Sequence, residues 1–180
     1  MVKTVEEWKE KLGLVHIYTG DGKGKTTAAL GLALRMLGNG GKVIIIQFLK
    51  SPNVYGEQKK ALECGIVLEA YGLPKFVHGK PEPEEIEAAR RALRRAKEVV
   101  RSGEWDLVIL DEICVALGFK MIKVDEVIEL IKEKASNTEV VFTGRYCPKE
   151  LFEIADYVTE MKEIKHPYQK GISARKGVEY

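Results

Sequence analysis

The chain has 180 residues, of which 45% are hydrophobic and 31% charged, and its formal net charge is +2. This length suits one domain over residues 1–180, and the interspersed charges form no basic stripe of the kind that binds nucleic acid. No apolar run reaches the length of a membrane span. The three cysteines fall singly at 64, 114 and 147, without the spacing of a zinc site or a disulfide framework. We therefore expect a cytoplasmic protein that binds neither nucleic acid nor membrane.

The first informative stretch is a short apolar strand that runs into a glycine-rich loop. Residues 1–12, charged and without the apolar core of a signal peptide, predict a helical arm before it. The run 14–18 is rich in β-branched and aromatic residues, which is typical of a strand inside a parallel sheet. Strong helix formers dominate from Thr26 to about Leu37. Strand, glycine loop and helix thus follow in the order that a phosphate-binding loop requires.

The composition of this loop indicates how it would bind phosphate. Glycines at 20, 22 and 24 allow positive φ and let successive N–H groups point into one concavity. Lys25 adds a point charge for the outer phosphates, and the Thr26 hydroxyl is placed to ligate Mg²⁺ at the positive end of the helix dipole. Thr19 stands where the standard pattern has its first glycine. A plain strand-to-helix turn is therefore the alternative interpretation.

Strands and helices alternate along the rest of the chain. Residues 71–81 predict a surface loop or lid, and residues 165–180 predict a tail that either frays or is ordered by a ligand. We expect a three-layer α/β fold of RecA-like P-loop NTPase architecture, with a mostly parallel sheet of about six strands. The predicted strands are 14–18, 42–48, 65–70, 105–112, 139–142 and 157–161, and the predicted helices are 26–37, 57–64, 83–102, 125–134 and 148–155.

Charged residues follow two of these strands. The apolar strand that begins at Trp105 ends in Asp111 and Glu112. Paired acids at the carboxyl edge of a parallel sheet are the Walker B pattern, which serves the Mg²⁺ of a bound nucleotide; a solvated turn after an ordinary strand is the alternative. Arg145 follows the strand 139–142 and would meet phosphate at the same edge. The sequence thus predicts a nucleotide site built on several strand ends.

The combination of motifs resembles one family, the P-loop type of ATP:corrinoid adenosyltransferase, also called cob(I)alamin adenosyltransferase. The similar segments occur in the same order from Gly13 to Tyr180, and together they are far more specific than any single motif. They are Thr19-Gly20-Asp21-Gly22-Lys23-Gly24-Lys25-Thr26-Thr27-Ala28-Ala29, Gln47-Phe48-Leu49-Lys50, Val108-Ile109-Leu110-Asp111-Glu112, Thr143-Gly144-Arg145, Lys165-His166 and Gly177-Val178-Glu179-Tyr180. At Asp21 the family usually has asparagine.

The resemblance implies alkyl transfer rather than phosphoryl transfer. The family moves the 5′-deoxyadenosyl group of MgATP to the cobalt of a reduced Co(I) corrinoid and releases triphosphate, in adenosylcobalamin synthesis or salvage. Because the cobalt is the nucleophile, no side chain needs to be one. The protein positions the substrates and neutralises the leaving triphosphate. The resemblance also implies a homodimer, and an electron-donating reductase is a further expected partner.

The resemblance assigns roles to individual residues of this chain. Lys25 and Arg145 would act in catalysis, and Thr26, Glu112 and Asp111 would serve Mg²⁺. Arg35 would approach the triphosphate, although an exposed charge on the helix is an equally good interpretation of it. The residues expected to bind ATP or the corrinoid are Gly20, Asp21, Gly22, Lys23, Gly24, Lys25, Thr26, Thr27, Arg35 and Phe76.

The predicted corrinoid loop departs from the family pattern. Leu73 and Lys75 stand opposite the aromatic residues by which the family removes the lower axial ligand of the corrinoid. Phe76 lies nearby, and it either replaces those aromatics after a small shift or packs within the loop.

Two other functions stay open. A P-loop ATPase or small-molecule kinase would release ADP, with a catalytic base among the paired acids. A non-catalytic, nucleotide-dependent corrinoid-binding module would release nothing. The products therefore separate the three hypotheses.

Overall fold

All six strands of the sheet run parallel. The computed structural model describes residues 7–75, 77 and 79–180. The sheet order is β3-β2-β4-β5-β1-β6, and every pair of neighbours is parallel. The carboxyl ends of all strands therefore meet at one edge, where open α/β sheets bind ligands. The strands are β1 (Val15–Thr19), β2 (Val43–Gln47), β3 (Val67–Ala70), β4 (Leu107–Asp111), β5 (Glu139–Thr143) and β6 (Tyr157–Glu160).

Helices cover both faces of the sheet. Successive residues of β2 point to opposite faces, so Val43 and Ile45 join one buried cluster while Ile44 and Ile46 join the other. The first cluster includes residues of α1 and α2, and the second includes residues of α3, α4 and α5. The predicted three-layer α/β architecture is thus confirmed. The helices are α1 (Lys25–Gly38), α2 (Gly56–Glu63), α3 (Pro83–Ser102), α4 (Ile113–Gly118) and α5 (Val124–Lys132).

The long helix α3 begins and ends where its sequence signals place it. The N–H of Glu82 donates to the Glu85 carboxylate at 2.7 Å, which closes a capping box before Pro83. Gly103 ends the helix with a φ of 67°. The buried stripe between them is mostly alanine and valine, so the helix packs closely on the sheet. In the described part of the chain, no helix is both long and apolar enough to cross a membrane.

Several short segments differ from the sequence prediction or go beyond it. Helix α4 was not predicted, because it has only six residues and starts directly after the acids that end β4. The helix predicted over 148–155 is a 3₁₀ helix, Lys149–Ile154, a form that proteins use in such short connections. In the predicted arm, residues 1–6 lie outside the described residues, and Lys9–Lys11 form one 3₁₀ turn. Each difference falls on a short segment with little periodicity.

The loop after β3 lies against the loop after β2. The N–H of Tyr71 donates to the Gln47 carbonyl, and the N–H of Gly72 donates to the Lys50 carbonyl, both at 3.0 Å. A Cβ on Gly72 would come within 2.2 Å of the backbone of Leu49, so only glycine allows this approach. Tyr71 and Val77 pack against the core. The predicted surface loop is therefore partly buried at its start and at Val77.

Candidate active site

The phosphate-binding loop follows β1 and leads directly into α1. Gly20 and Gly24 have φ values of 98° and 117°, which residues with a Cβ rarely adopt. The N–H of Gly22 donates to the Met161 carbonyl at 2.6 Å, and a Cβ on Gly22 would come within 2.7 Å of that oxygen. The loop therefore needs its glycines, and the chain after β6 holds it in place.

Two lysines of the loop donate to main-chain carbonyls. The Nζ of Lys25 donates to the carbonyls of Gly20 and Gly22 at 2.8 and 2.7 Å, so the ammonium lies inside the curve of the loop. Burial lowers the pKa of Lys25 from its ordinary value. The Nζ of Lys23 donates to the Val178 carbonyl at 2.9 Å. Both ammonium groups contact neutral carbonyl oxygens. Charged phosphate oxygens would attract them more strongly and could take the place of these carbonyls.

The Asp111 carboxylate contacts side chains from four segments at this edge of the sheet. Its Oδ1 accepts from the hydroxyls of Thr26 and Thr143 at 2.8 and 2.7 Å. Its Oδ2 accepts from Gln47 Nε2 at 3.0 Å and lies 3.0 Å from Lys50 Nζ. Burial acts to raise the pKa of Asp111, but the Lys50 charge and these hydrogen bonds outweigh it and lower the pKa. With both oxygens occupied, Asp111 is placed to orient its partners.

Glu112, the next residue, is in the opposite situation. Its φ of 64° lies in the left-handed region, which is uncommon for a residue with a Cβ. Burial, and after it the charge of Asp111, raise the pKa of Glu112 to about 7. Among the described residues, no donor is hydrogen-bonded to its carboxylate. The two acids of the predicted pair thus differ. Both carboxylate oxygens of Asp111 are used in contacts within the protein, whereas the carboxylate of Glu112 is free to bind a ligand.

Lys50 is a site residue that the sequence prediction did not include. Its Nζ lies 3.0 Å from Asp111 Oδ2, 2.9 Å from Glu57 Oε1 and 5.1 Å from the ring centre of Tyr55. Burial opposes its charge, but the two carboxylates raise the pKa of Lys50 well above its ordinary value. The signal in the sequence was a lysine soon after the apolar strand β2, within the segment Gln47-Phe48-Leu49-Lys50 of the resemblance.

The remaining predicted residues lie at different distances from the loop. Arg145 lies beside it, and its Nη2 donates to the Asp21 carbonyl at 3.0 Å. Thr27 lines the cavity above the loop. Arg35 is exposed in the last turn of α1, about three helical turns beyond Lys25. Phe76 lies outside the described residues.

Two neighbouring cavities open at this edge of the sheet. The larger has a volume of about 480 Å³, which is in the usual range for small-molecule sites. The second has a volume of about 210 Å³, and most of its lining side chains are apolar. Lys50, Tyr55 and Glu112 line both cavities, so these residues form the boundary between them. The larger cavity is also lined by residues 23–27, Leu30, 56–57 and 177–180, and the second by Leu49, Val77, Val115 and Phe119.

The parallel sheet, the glycine loop and the acids at the carboxyl end of β4 define a P-loop nucleotide-binding protein. A sequence model described as ATP:corrinoid adenosyltransferase BtuR/CobO/CobP matches residues 11–180, which is nearly the whole chain. The chain belongs to this family of ATP:corrinoid adenosyltransferases. The predictions of a transferase and of ATP and a corrinoid as its substrates are thereby confirmed.

Curated relatives agree with this assignment. A corrinoid adenosyltransferase of Sinorhizobium sp is 38% identical over 175 residues, which cover 95% of this chain and 82% of the relative. A corrinoid adenosyltransferase of Escherichia coli (strain K12) is 30% identical and covers 98% of this chain and 90% of the relative. Corrinoid adenosyltransferase CobA of Salmonella typhimurium is 28% identical over the same shares of both chains.

A solved structure shares the fold at low sequence identity. The flagellar accessory protein FlaH from Methanocaldococcus jannaschii aligns with a TM-score of 0.54 and 16% identity, over 82% of this chain and 70% of that one. At this identity the likeness concerns the arrangement of strands and helices only.

The raised pKa of Glu112 predicts a specific pH dependence of stability. Because its folded pKa, about 7, exceeds the unfolded value, its stabilising contribution is complete at low pH and is lost as the pH rises through 7. Without ligands, Glu112→Gln should therefore unfold with a free energy about 1–3 kcal/mol higher than wild type at pH 8. The difference should shrink towards pH 5, as measured by urea unfolding.

The exposed carboxylate of Glu104 provides the control for this experiment. Glu104→Gln should leave the free energy of unfolding nearly unchanged at both pH values. An equal effect of Glu112→Gln at pH 5 and pH 8 would contradict the assigned pKa.

Proposed function

We propose that this chain transfers the 5′-deoxyadenosyl group of MgATP to the cobalt of a Co(I) corrinoid and releases inorganic triphosphate. In this step the electron pair of Co(I) forms the Co–C5′ bond. The C5′–O bond breaks, its electron pair leaves with the triphosphate, and the cobalt becomes formally Co(III).

The shared boundary of the two cavities carries the proposal. The larger cavity presents the phosphate-binding loop with Lys23 and Lys25, which suits a polyphosphate. The second presents apolar side chains, which suit part of a large macrocycle. A direct attack on C5′ requires the two substrates to be in contact, and adjoining cavities permit this. The second cavity is too small to enclose a corrin ring, so the corrinoid would rest at its mouth.

Stabilisation of the leaving triphosphate is the main task assigned to the loop. We propose that N–H groups of the loop other than that of Gly22, which donates to Met161, bind it together with the ammonium of Lys25, with Lys23 and Arg145 alongside. Hydrogen bonds within the protein hold these side-chain donors at or beside the loop. Donors held in place in this way stabilise the charge that develops as the C5′–O bond breaks.

Oxygen ligands for Mg²⁺ are present at the same edge. The Thr26 hydroxyl and the Glu112 carboxylate are hard donors of the kind Mg²⁺ prefers. In the described residues, no group of three or more His, Cys, Asp or Glu side chains is arranged to hold a metal. We propose that Thr26 and Glu112 hold it and that Asp111 keeps Thr26 oriented. When bound, Mg²⁺ would neutralise part of the triphosphate charge.

The test of this function is a product assay with a matched variant. Wild-type protein, MgATP and chemically reduced cobalamin should yield equal amounts of a light-sensitive alkylcobalt product and triphosphate under anaerobic conditions. Lys25→Ala should lower ATP affinity at least about tenfold, because it removes the buried ammonium that faces the phosphates.

Lys60→Ala, at an exposed lysine of α2 outside both cavities, should leave product formation and affinity unchanged. ADP with no alkylcobalt product would show phosphoryl transfer instead and would refute the proposal. Binding of both substrates without any product would favour a non-catalytic binding module.

The apolar cavity predicts a separate effect on the corrinoid. Phe119 lines this cavity and packs edge-on against Tyr146. Phe119→Ala should raise the KM for the corrinoid severalfold, about the loss expected for one aromatic contact, and leave ATP affinity unchanged.

Phe152→Ala is the control. Phe152 and Phe119 both pack against the buried cluster that contains Ile44 and Ile46, but Phe152 lines neither cavity. If both variants raised the corrinoid KM equally, loss of core packing would explain the effect and the placement of the corrinoid would be wrong.

We also propose that the chain works as a single domain, as a homodimer in the cytoplasm, supplied with electrons by a separate reductase. Unpaired thiols at Cys64, Cys114 and Cys147 suit a reducing compartment. Leu34 on α1 and Tyr157 on the edge strand β6 are 57% and 51% exposed, and a second copy would cover such side chains. Light scattering should give twice the chain mass, and the mass of one chain would refute the dimer.

A further inference from the structure

The C-terminal residues lie against the phosphate-binding loop and form part of the nucleotide cavity. We call residues 175–180 the closing segment. Its residues 177–180 line the larger cavity together with the phosphate-binding loop, Leu30 and Tyr55. The carbonyl of Val178 accepts the hydrogen bond from Lys23, so the segment is anchored to the loop itself. The tail that the sequence left either frayed or ligand-ordered thus has a defined position.

A salt bridge within the closing segment gives it its shape. The N–H and Nε of Arg175 donate to Glu179 Oε2 at 2.7 and 3.2 Å, and Arg175 Nη2 donates to Oε1 at 3.0 Å. The N–H of Glu179 donates to the Arg175 carbonyl at 2.9 Å, and the N–H of Gly177 donates to the Tyr180 carbonyl at 2.7 Å. Gly177 has a φ of 80°, which favours glycine in this turn. These bonds fold the segment into one compact turn.

We propose that the Arg175–Glu179 pair is a positioning pair, which holds residues 177–180 as a wall of the nucleotide cavity and so slows the release of ATP. The inference rests on the proposed binding of ATP in this cavity. Arg175 does not line the cavity, so its part is to hold Glu179 and the turn. A loosened wall would leave the cavity open on that side and raise the dissociation rate of the nucleotide. The chemistry at the boundary formed by Lys50, Tyr55 and Glu112 would be little changed.

Three variants separate positioning from a simple effect of charge. Arg175→Gln removes a positive charge, Glu179→Gln removes a negative charge, and the double variant leaves the net charge unchanged. If the pair positions the wall, each variant should raise the Kd for MgATP and its dissociation rate about two- to fivefold, the range expected for one surface salt bridge. The double variant should be no worse than the single variants, because both break the same pair. The KM for ATP should rise while kcat stays within about twofold.

A charge effect would give a different pattern. Arg175→Gln would then weaken ATP binding, Glu179→Gln would strengthen it, and the double variant would bind like wild type. That pattern, or unchanged affinity in all three variants, would overturn the inference. Tighter binding by all three would also overturn it, since the segment would then compete with ATP. Calorimetric titration with MgATP and displacement of bound nucleotide provide the two measurements.

The salt bridge between Arg94 and Glu87 supplies the matched control. Arg94 is about as exposed as Arg175, the Nη2–Oε1 distance is 2.8 Å, and the pair lies on α3 away from the cavity. Arg94→Gln should leave ATP affinity unchanged, and unfolding curves should show that all variants fold. Arg175→Lys should retain part of the wild-type affinity because it keeps the charged partner. Failure of the wild-type protein to bind MgATP would refute the proposed function and this inference together, whereas equal binding by wild type and variants would refute only the inference.

Discussion

The candidate site depends on one buried carboxylate, that of Asp111. A carboxylate removed from water is costly unless hydrogen bonds and an opposite charge compensate it. Here the compensation comes from the start of α1, from β2, from the loop after β2 and from β5, through Thr26, Gln47, Lys50 and Thr143. Loss of any one of these partners would leave the buried charge of Asp111 only partly compensated. The side chain of Asp111 therefore fixes the positions of the phosphate-binding loop and the ends of β2, β4 and β5 relative to one another.

This arrangement gives different tasks to two acids that look equivalent in the sequence. The hydrogen bonds of Asp111 are used within the protein, whereas the left-handed backbone of Glu112 turns its carboxylate towards the cavities. Lys50 and Tyr55 lie at the same boundary. The charged side chains of Lys50 and Glu112 thus lie next to the apolar lining of the second cavity. A reaction between a polyanionic substrate and a large macrocycle requires such an adjacency.

The sequence predicted the features that depend on local patterns. Apolar runs located all six strands, and Pro83 and Gly103 marked the ends of α3. The glycine loop was recognised because glycine, lysine and threonine at a helix start have few other uses. Helix α4 was missed because its six residues carry no capping signal. The role of Lys50 and the position of residues 177–180 depend on contacts between segments far apart in the chain, which periodicity does not encode. The functional roles of the individual site residues stay predictions.

The contacts of Lys25 have a consequence for which anions the loop admits. An entering ligand must replace two hydrogen bonds from the ammonium to Gly20 and Gly22, each worth about 1.5–3 kcal/mol. A single phosphate would bind the ammonium more strongly than the carbonyls do, but it offers few further oxygens for the rest of the loop. Three linked phosphates offer many oxygens at once and also engage the N–H groups of the loop. The number of linked phosphates, more than the charge of any one of them, therefore decides how many groups of the loop an anion engages.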